Sequence, residues 1–199
     1  MDTALGFRPH SGWTAAVAVG SVDGRPVALE RRRVDLSAPG VPVQPYHAAA
    51  GRSLDAASAV VRQAYEVALA GAMVGLDELL AALGSAGHGV VAVGLPVGSL
   101  AIPSELAAIL GSHPLLHAAE GDLYRQAVAQ SAEERGLRVV ETPARELGAR
   151  AGRALGLDEP GLRAALIQAG QLLGRPWRKD EKDATMLAWL ALASSGSGR

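Results

Sequence analysis

Two aspartates one helical turn apart open the last apolar-periodic segment of this chain, in the run Asp180-Glu181-Lys182-Asp183. On a helix each residue advances about 100°, so carboxylates at this spacing share a face and can hold a divalent cation together. Asp183 also falls on the apolar stripe with Ala184, Leu187, Leu190 and Ala191. A carboxylate on that stripe is costly to bury without a partner, and the candidates are Arg8, His10 or a metal ion. Asp180 has the commoner reading of a helix N-cap.

A second group is His117, Glu120, Gly121 and Tyr124, which fall within about a third of a helix circumference. A histidine and a carboxylate one turn apart can bind a cation jointly, or form a base with its orienting partner. Gly121 would leave room there for a ligand. The competing reading is a surface histidine beside a solvated glutamate, with Gly121 serving helix packing. His10 and Ser11 follow Arg8 in the first turn and are candidates to touch a substrate or metal. The plainer alternative is turn chemistry, with Ser11 bonded to local backbone. Trp177, inside Arg175-Pro176-Trp177-Arg178-Lys179, could stack a base between basic neighbours or pack the connection against the core. Tyr46-His47 reads as loop packing or a fold-back over the first hairpin, and His88 and His113 at element edges carry no assignment.

These residues must be placed by the elements around them. A short strand at residues 4–8 is expected to lead into a turn, and residues 13–19 read as a buried strand. Asp23-Gly24 is a two-residue hairpin signal, since a type I′ turn needs positive φ at both centres. Residues 25–36 return as a third strand whose Glu30 and three arginines suit a solvent-facing edge. Residues 37–52, with Pro39, Gly40, Pro42 and Pro45, form an irregular connection. Ser53 caps a helix running towards Leu83, with Gly71 and Gly75 as candidate breaks. Residues 89–95 are a strand, 104–110 a short helix, and Pro114 suits the first turn of a longer helix that runs to about Arg135 and stops at Gly136. A fifth strand spans 137–141. Helices then start at Thr142-Pro143, at Asp158 with Pro160 (closing at Gly174) and at Asp180.

Composition bounds the function. A chain of 199 residues supports one sizeable domain. It has no cysteine, which excludes disulfides and thiolate metal sites and fits a reducing cytoplasm. Net charge is −1, so Arg31-Arg32-Arg33 and the 175–179 cluster are balanced by acids, and strong nonspecific nucleic-acid binding is not expected. No N-terminal signal is evident, and the apolar stretch 90–110 is interrupted by Pro96, Pro103 and Glu105, so no membrane partner is expected.

Three antiparallel strands followed by helix–strand–helix–strand–helix resemble the ribonuclease H-like fold, and most closely RuvC-type Holliday-junction resolvases and related predicted nucleases. Their first strand reads Leu-Gly-Ile/Val-Asp-Pro-Gly, against Leu5-Gly6-Phe7-Arg8-Pro9-His10 here; their last helix begins Asp-x-x-Asp-Ala, against Asp180-Glu181-Lys182-Asp183-Ala184. The resemblance implies four carboxylates holding two divalent ions that activate water against a phosphodiester. Only Asp180 and Asp183 match that set. Arg8 stands where the first-strand aspartate would be, and the fourth strand ends Val93-Gly94-Leu95-Pro96 without its glutamate. Sugar-kinase and actin-like ATPases share the core but close two such domains around a nucleotide, which one domain of this length cannot do.

The expected molecule is therefore an α/β, ribonuclease H-like protein. Its five-stranded mixed sheet, three antiparallel strands then parallel strands, is flanked by helices in a single domain over residues 1–193, with a flexible tail at 194–199. Arg8 favours a non-catalytic or diverged member, a pseudoenzyme, acting by binding at the former active-site cleft. The alternative is a divalent-metal-dependent nuclease or phosphohydrolase. In it Asp183, Glu120, His117 and His10 would be catalytic, with Asp183, Glu120 and His117 holding Mg²⁺, Mn²⁺ or Zn²⁺. Arg8, Ser11, Tyr124 and Asp180 would then bind the ligand. A third reading is a small-molecule or nucleotide enzyme with Arg8 as an anion anchor. Nucleic acid or a nucleotide is the expected ligand class, and a homodimer the expected assembly.

Overall fold

The computed structural model describes residues 1–196. The chain begins with a meander of three antiparallel strands, β1 (Asp2–His10), β2 (Trp13–Val22) and β3 (Arg25–Asp35). The β2–β3 turn has positive φ at both centres, 49° at Asp23 and 72° at Gly24, as its sequence predicts. The connection expected to be irregular contains one helical turn, α1 (Pro45–Ala49), because Pro45 presets the backbone at its first position.

Ser53 caps α2 (Leu54–Ser85), its Oγ accepting from the Ala56 amide at 3.4 Å. Gly71 and Gly75 do not divide this helix. They are where α2 crosses β3: a Cβ would stand 2.4 Å from the Asp35 carbonyl at Gly71 and 2.3 Å from Val34 Cγ1 at Gly75. By length and composition α2 could cross a bilayer, with mean hydropathy 1.7 in its most apolar window. In this fold Ala64, Ala68, Ala72, Leu76 and Leu79 are buried in the core.

Then come β4 (Gly89–Val97), α3 (Leu106–Leu110), α4 (His113–Glu133) and β5 (Arg138–Pro143). A 3-10 turn at Ala144–Glu146 precedes α5 (Leu147–Leu155), where a helix directly from Thr142-Pro143 was expected. Next are α6 (Glu159–Ala169), which ends at Gly170 rather than Gly174, a 3-10 turn at Gln171–Leu173, and α7 (Lys179–Gly196). The helix persists past residue 194: the hydroxyls of Ser194 and Ser195 donate to the carbonyls of Leu190 and Ala191. Residues 194–196 thus belong to α7, and the rest of the expected tail lies outside the described residues.

The sheet runs β3-β2-β1-β4-β5, with β4 parallel to β1 and β5 parallel to β4. Alternation sorts β1 into two faces. Leu5 and Phe7 join the main core with Leu76, Leu79, Leu123 and Tyr124 of α2 and α4. Ala4 and Gly6 face the other way, onto α7.

Candidate functional site

The site is positioned by a close approach of α7 to the sheet. Gly6 and Gly94 are register partners on β1 and β4. A Cβ at Gly6 would lie 1.8 Å from the Ala184 carbonyl oxygen, and one at Gly94 2.2 Å from that of Leu187. Only two adjacent glycines let a helix backbone sit so low. Two residues further along the same face of β1 comes Arg8, and one residue before Ala184 comes Asp183. Their meeting follows: Arg8 Nε lies 3.5 Å from Asp183 Oδ2, with side chains 31% and 11% exposed. Lys179, one turn earlier on α7, also bonds Asp183 Oδ2, at 2.5 Å.

His10, two more residues along that face, meets Asp180. Its Nε2 stands 3.1 Å from Asp180 Oδ1, at an angle short of a hydrogen bond. The His10 ring stacks on Trp13 at 4.4 Å, and Arg33 lies over the same indole at 4.0 Å. Asp180 is not the N-cap expected of it. Glu181 takes the capping role, accepting from the Arg178 amide at 2.8 Å. Ser11 is exposed at the tip of the turn.

These residues do not fit the metal pair that the sequence resemblance implies. A guanidinium occupies the position of the first carboxylate, and the carboxylate it faces is already paired twice. Leu95 points into the main core and Pro96 lines the cleft, so no acid arrives from β4. Cations where the dications would sit repel them.

Beside Arg8 opens a cleft of about 390 Å³ between the end of β1, the loop after β4 and α4. Pro96, Ser99, His117, Gly121 and Arg125 are among its walls. Gly121 is not a helix-packing residue, because a Cβ there would meet nothing within 4 Å. Arg125 is held by Asp122 at 2.6 Å and by Glu141.

Glu120 points away from this cleft and is 3% exposed. Its Oε1 accepts from the His47 backbone amide at 3.1 Å and meets His47 Nδ1 at 3.0 Å, while its buried Oε2 has no partner among the described residues. Burial pushes the Glu120 carboxyl up from its ordinary range, and the His47 contacts pull partly against that. His47 in turn lies against His117, with ring centroids 4.7 Å apart, and His117 against His113, at 4.6 Å.

The expected ligand set of Asp183, Glu120 and His117 is therefore not assembled. Asp183 and His10 belong to the α7 side of β1, and Glu120 and His117 to α4. Tyr124 is no cleft residue either: it is 1% exposed and donates its hydroxyl to the Val43 carbonyl at 2.8 Å. Burial pushes its pKa up to about 12. Trp177 packs on Gly170 and donates Nε1 to the Leu166 carbonyl at 2.8 Å, which favours the packing role over base stacking.

Two residues escaped the sequence reading, His47 and His113. His113-Pro114-Leu115-Leu116-His117 is a visible i, i+4 pair. Reading His113 as an element edge with no assignment hid it. His47 gives no local signal, since 73 residues separate it from Glu120.

No family model matches the chain, and no curated protein does. Among solved structures it is similar to RuvC of Thermus thermophilus, with TM-score 0.59 and 14% identity, over 98% of this chain and 96% of that one. It is also similar to T. thermophilus RuvC in complex with a Holliday junction substrate, with TM-score 0.51 and 15% identity, over 100% and 97% of the two chains. The fold is ribonuclease H-like, of the RuvC type. In this RuvC-like frame, the Arg8–Asp183 pair between β1 and α7 and the histidine group between α1 and α4 are features of this chain's own residues.

Proposed function

We propose that this RuvC-like protein is a diverged member of the fold that binds a phosphate-bearing ligand, nucleic acid or nucleotide, in its cleft without two-metal hydrolysis. The observation that carries the reading is the ion pair of Arg8 with Asp183. A guanidinium is permanently charged and matches phosphate oxygens. Arg8 and Arg125 both border the cleft, and both are held in place by carboxylates, which fixes their direction at the expense of net positive charge. That balance, with net charge −1, suits local recognition of a phosphate better than electrostatic wrapping of a duplex. The junction-bound T. thermophilus RuvC makes branched DNA the first ligand to try.

The test is fluorescence polarisation with a labelled four-way junction, a duplex, a single strand and a labelled nucleotide, with Mg²⁺ and with chelator, and the same mixtures run on a denaturing gel. Expected is saturable binding to at least one of these. Arg8→Ala or Arg125→Ala should weaken it several-fold, and neither Mg²⁺ nor Mn²⁺ should yield product. Cleavage that needs Mg²⁺ and disappears in Asp183→Asn would establish the nuclease alternative instead. Failure of every ligand to bind would overturn the reading.

A further inference from the structure

We infer that His47, His113 and His117 form a binding site for one transition-metal dication of the zinc class, with Glu120 as the carboxylate that orients His47. One ring nitrogen from each of the three histidines lies within 4.8 Å of the other two. A tetrahedral ion with bonds of about 2.0–2.1 Å holds its nitrogens about 3.4 Å apart, so the rings close by no more than about 1.5 Å. His113 and His117 are exposed and stand one turn apart on the same face of α4, so side-chain rotation supplies that movement.

Glu120 gives the second, independent observation. With Glu120 Oε1 receiving both the amide and Nδ1 of His47, the Nε2 lone pair of that ring is left for a metal. A carboxylate behind a histidine in this way fixes its tautomer and raises its basicity as a ligand. The side chain of Glu120 is only 4% exposed and its Oε2 has no partner among the described residues. A dication on the far nitrogen of His47 would offset the charge of that buried carboxylate.

The donor set selects the ion. Three imidazoles with no thiolate suit Zn²⁺, Co²⁺, Ni²⁺ or Cu²⁺, and do not suit Mg²⁺ or Ca²⁺, which take oxygen ligands. Three protein ligands also leave a coordination position open, as in sites that bind a water or an exogenous group. His117 lines the cleft with Ala118 and Gly121, so that open position borders the space already described. This site is separate from the Arg8–Asp183 pair, and the inference stands whether or not a phosphate ligand binds.

The experiment is a titration of chelator-treated protein with Co²⁺, followed by its visible d–d absorption and then by competition with Zn²⁺. Expected is one equivalent of Co²⁺ giving intense low-coordination bands that Zn²⁺ abolishes. His113→Ala and His117→Ala, both at exposed positions, should each lower affinity at least 100-fold while circular dichroism is unchanged. Glu120→Gln should lower it about 10- to 100-fold, and Asp183→Asn should leave it unaltered. Absence of the bands in the unaltered protein, or bands of unchanged affinity in both histidine variants, would overturn the site. Unchanged affinity in Glu120→Gln would remove Glu120 from it.

Discussion

Gly6 of β1 and Gly94 of β4 are paired in register, and the backbone of α7 lies directly on both. The contact does more than pack a helix. It sets the height and phase of α7, so that Asp183 reaches Arg8 and Asp180 reaches His10 along one face of β1.

Gly94→Ala should therefore destabilise the protein without altering the surface. The added methyl would meet Leu187 backbone at 2.2 Å, and backbone cannot rotate away. Overpacking of this kind costs about 1–3 kcal/mol or more. Urea unfolding should show a lower midpoint at an unchanged slope. Gly84→Ala is the control, since its Cβ would meet nothing within 4 Å. Equal midpoints for Gly94→Ala and the unaltered protein would mean that α7 is not seated this closely.

Arg8→Asp should expose what the arginine offsets. It leaves a like charge facing Asp183, with Lys179 as the remaining partner. Because the Arg8 side chain is 31% exposed, screening limits the loss to about 1–2 kcal/mol. Added Mg²⁺ should raise the melting temperature of this variant and leave that of the unaltered protein where it was. The same Mg²⁺ response in both would show that the guanidinium does not exclude a dication.

The end of α4 is tied to α2 by Arg135, which grips both oxygens of Asp77 at 2.5 Å and donates to the carbonyls of Ser131 and Met73. The hydrogen bond from Arg135 holds the Asp77 carboxyl below its ordinary 3.8. A lowered folded-state pKa contributes stability that is present above the unfolded value and lost as pH falls through the folded one. Asp77→Asn should thus be less stable than the unaltered protein by the same amount at neutral pH and near pH 5. The gap should close only below about pH 4. A gap that persists undiminished in strong acid would assign it to something other than this ion pair.

Much of the fold was legible because the signals were local. Positive-φ residues at Asp23-Gly24, the Ser53 cap and the short apolar run of β4 each act over a few neighbours. Arg8 facing Asp183 was legible too, since the strand and helix that carry them have recognisable ends. Gly71, Gly75 and Gly94 misled or were silent, because a glycine pressed against a neighbouring strand or helix looks in sequence like a helix breaker or nothing at all. The grouping of His117 with Asp183 failed for a similar reason. The face on which a side chain emerges depends on the register of β1 against α7 and α4, which no window of sequence contains.

The segment that carries His47 is pinned to α4 at two points: the Val43 carbonyl on Tyr124, and His47 itself on Glu120. Tyr124 and Glu120 stand one turn apart, so a single helix both supplies two imidazoles and captures the third. Just after the second pin the Ala50 amide closes α1 on the Tyr46 and His47 carbonyls, and Ser53 caps α2, whereas residues 37–42 lie before the first pin. Insertions or deletions in residues 37–42 would be absorbed ahead of both pins, and relatives of this chain could drift in length there while the three rings kept their places.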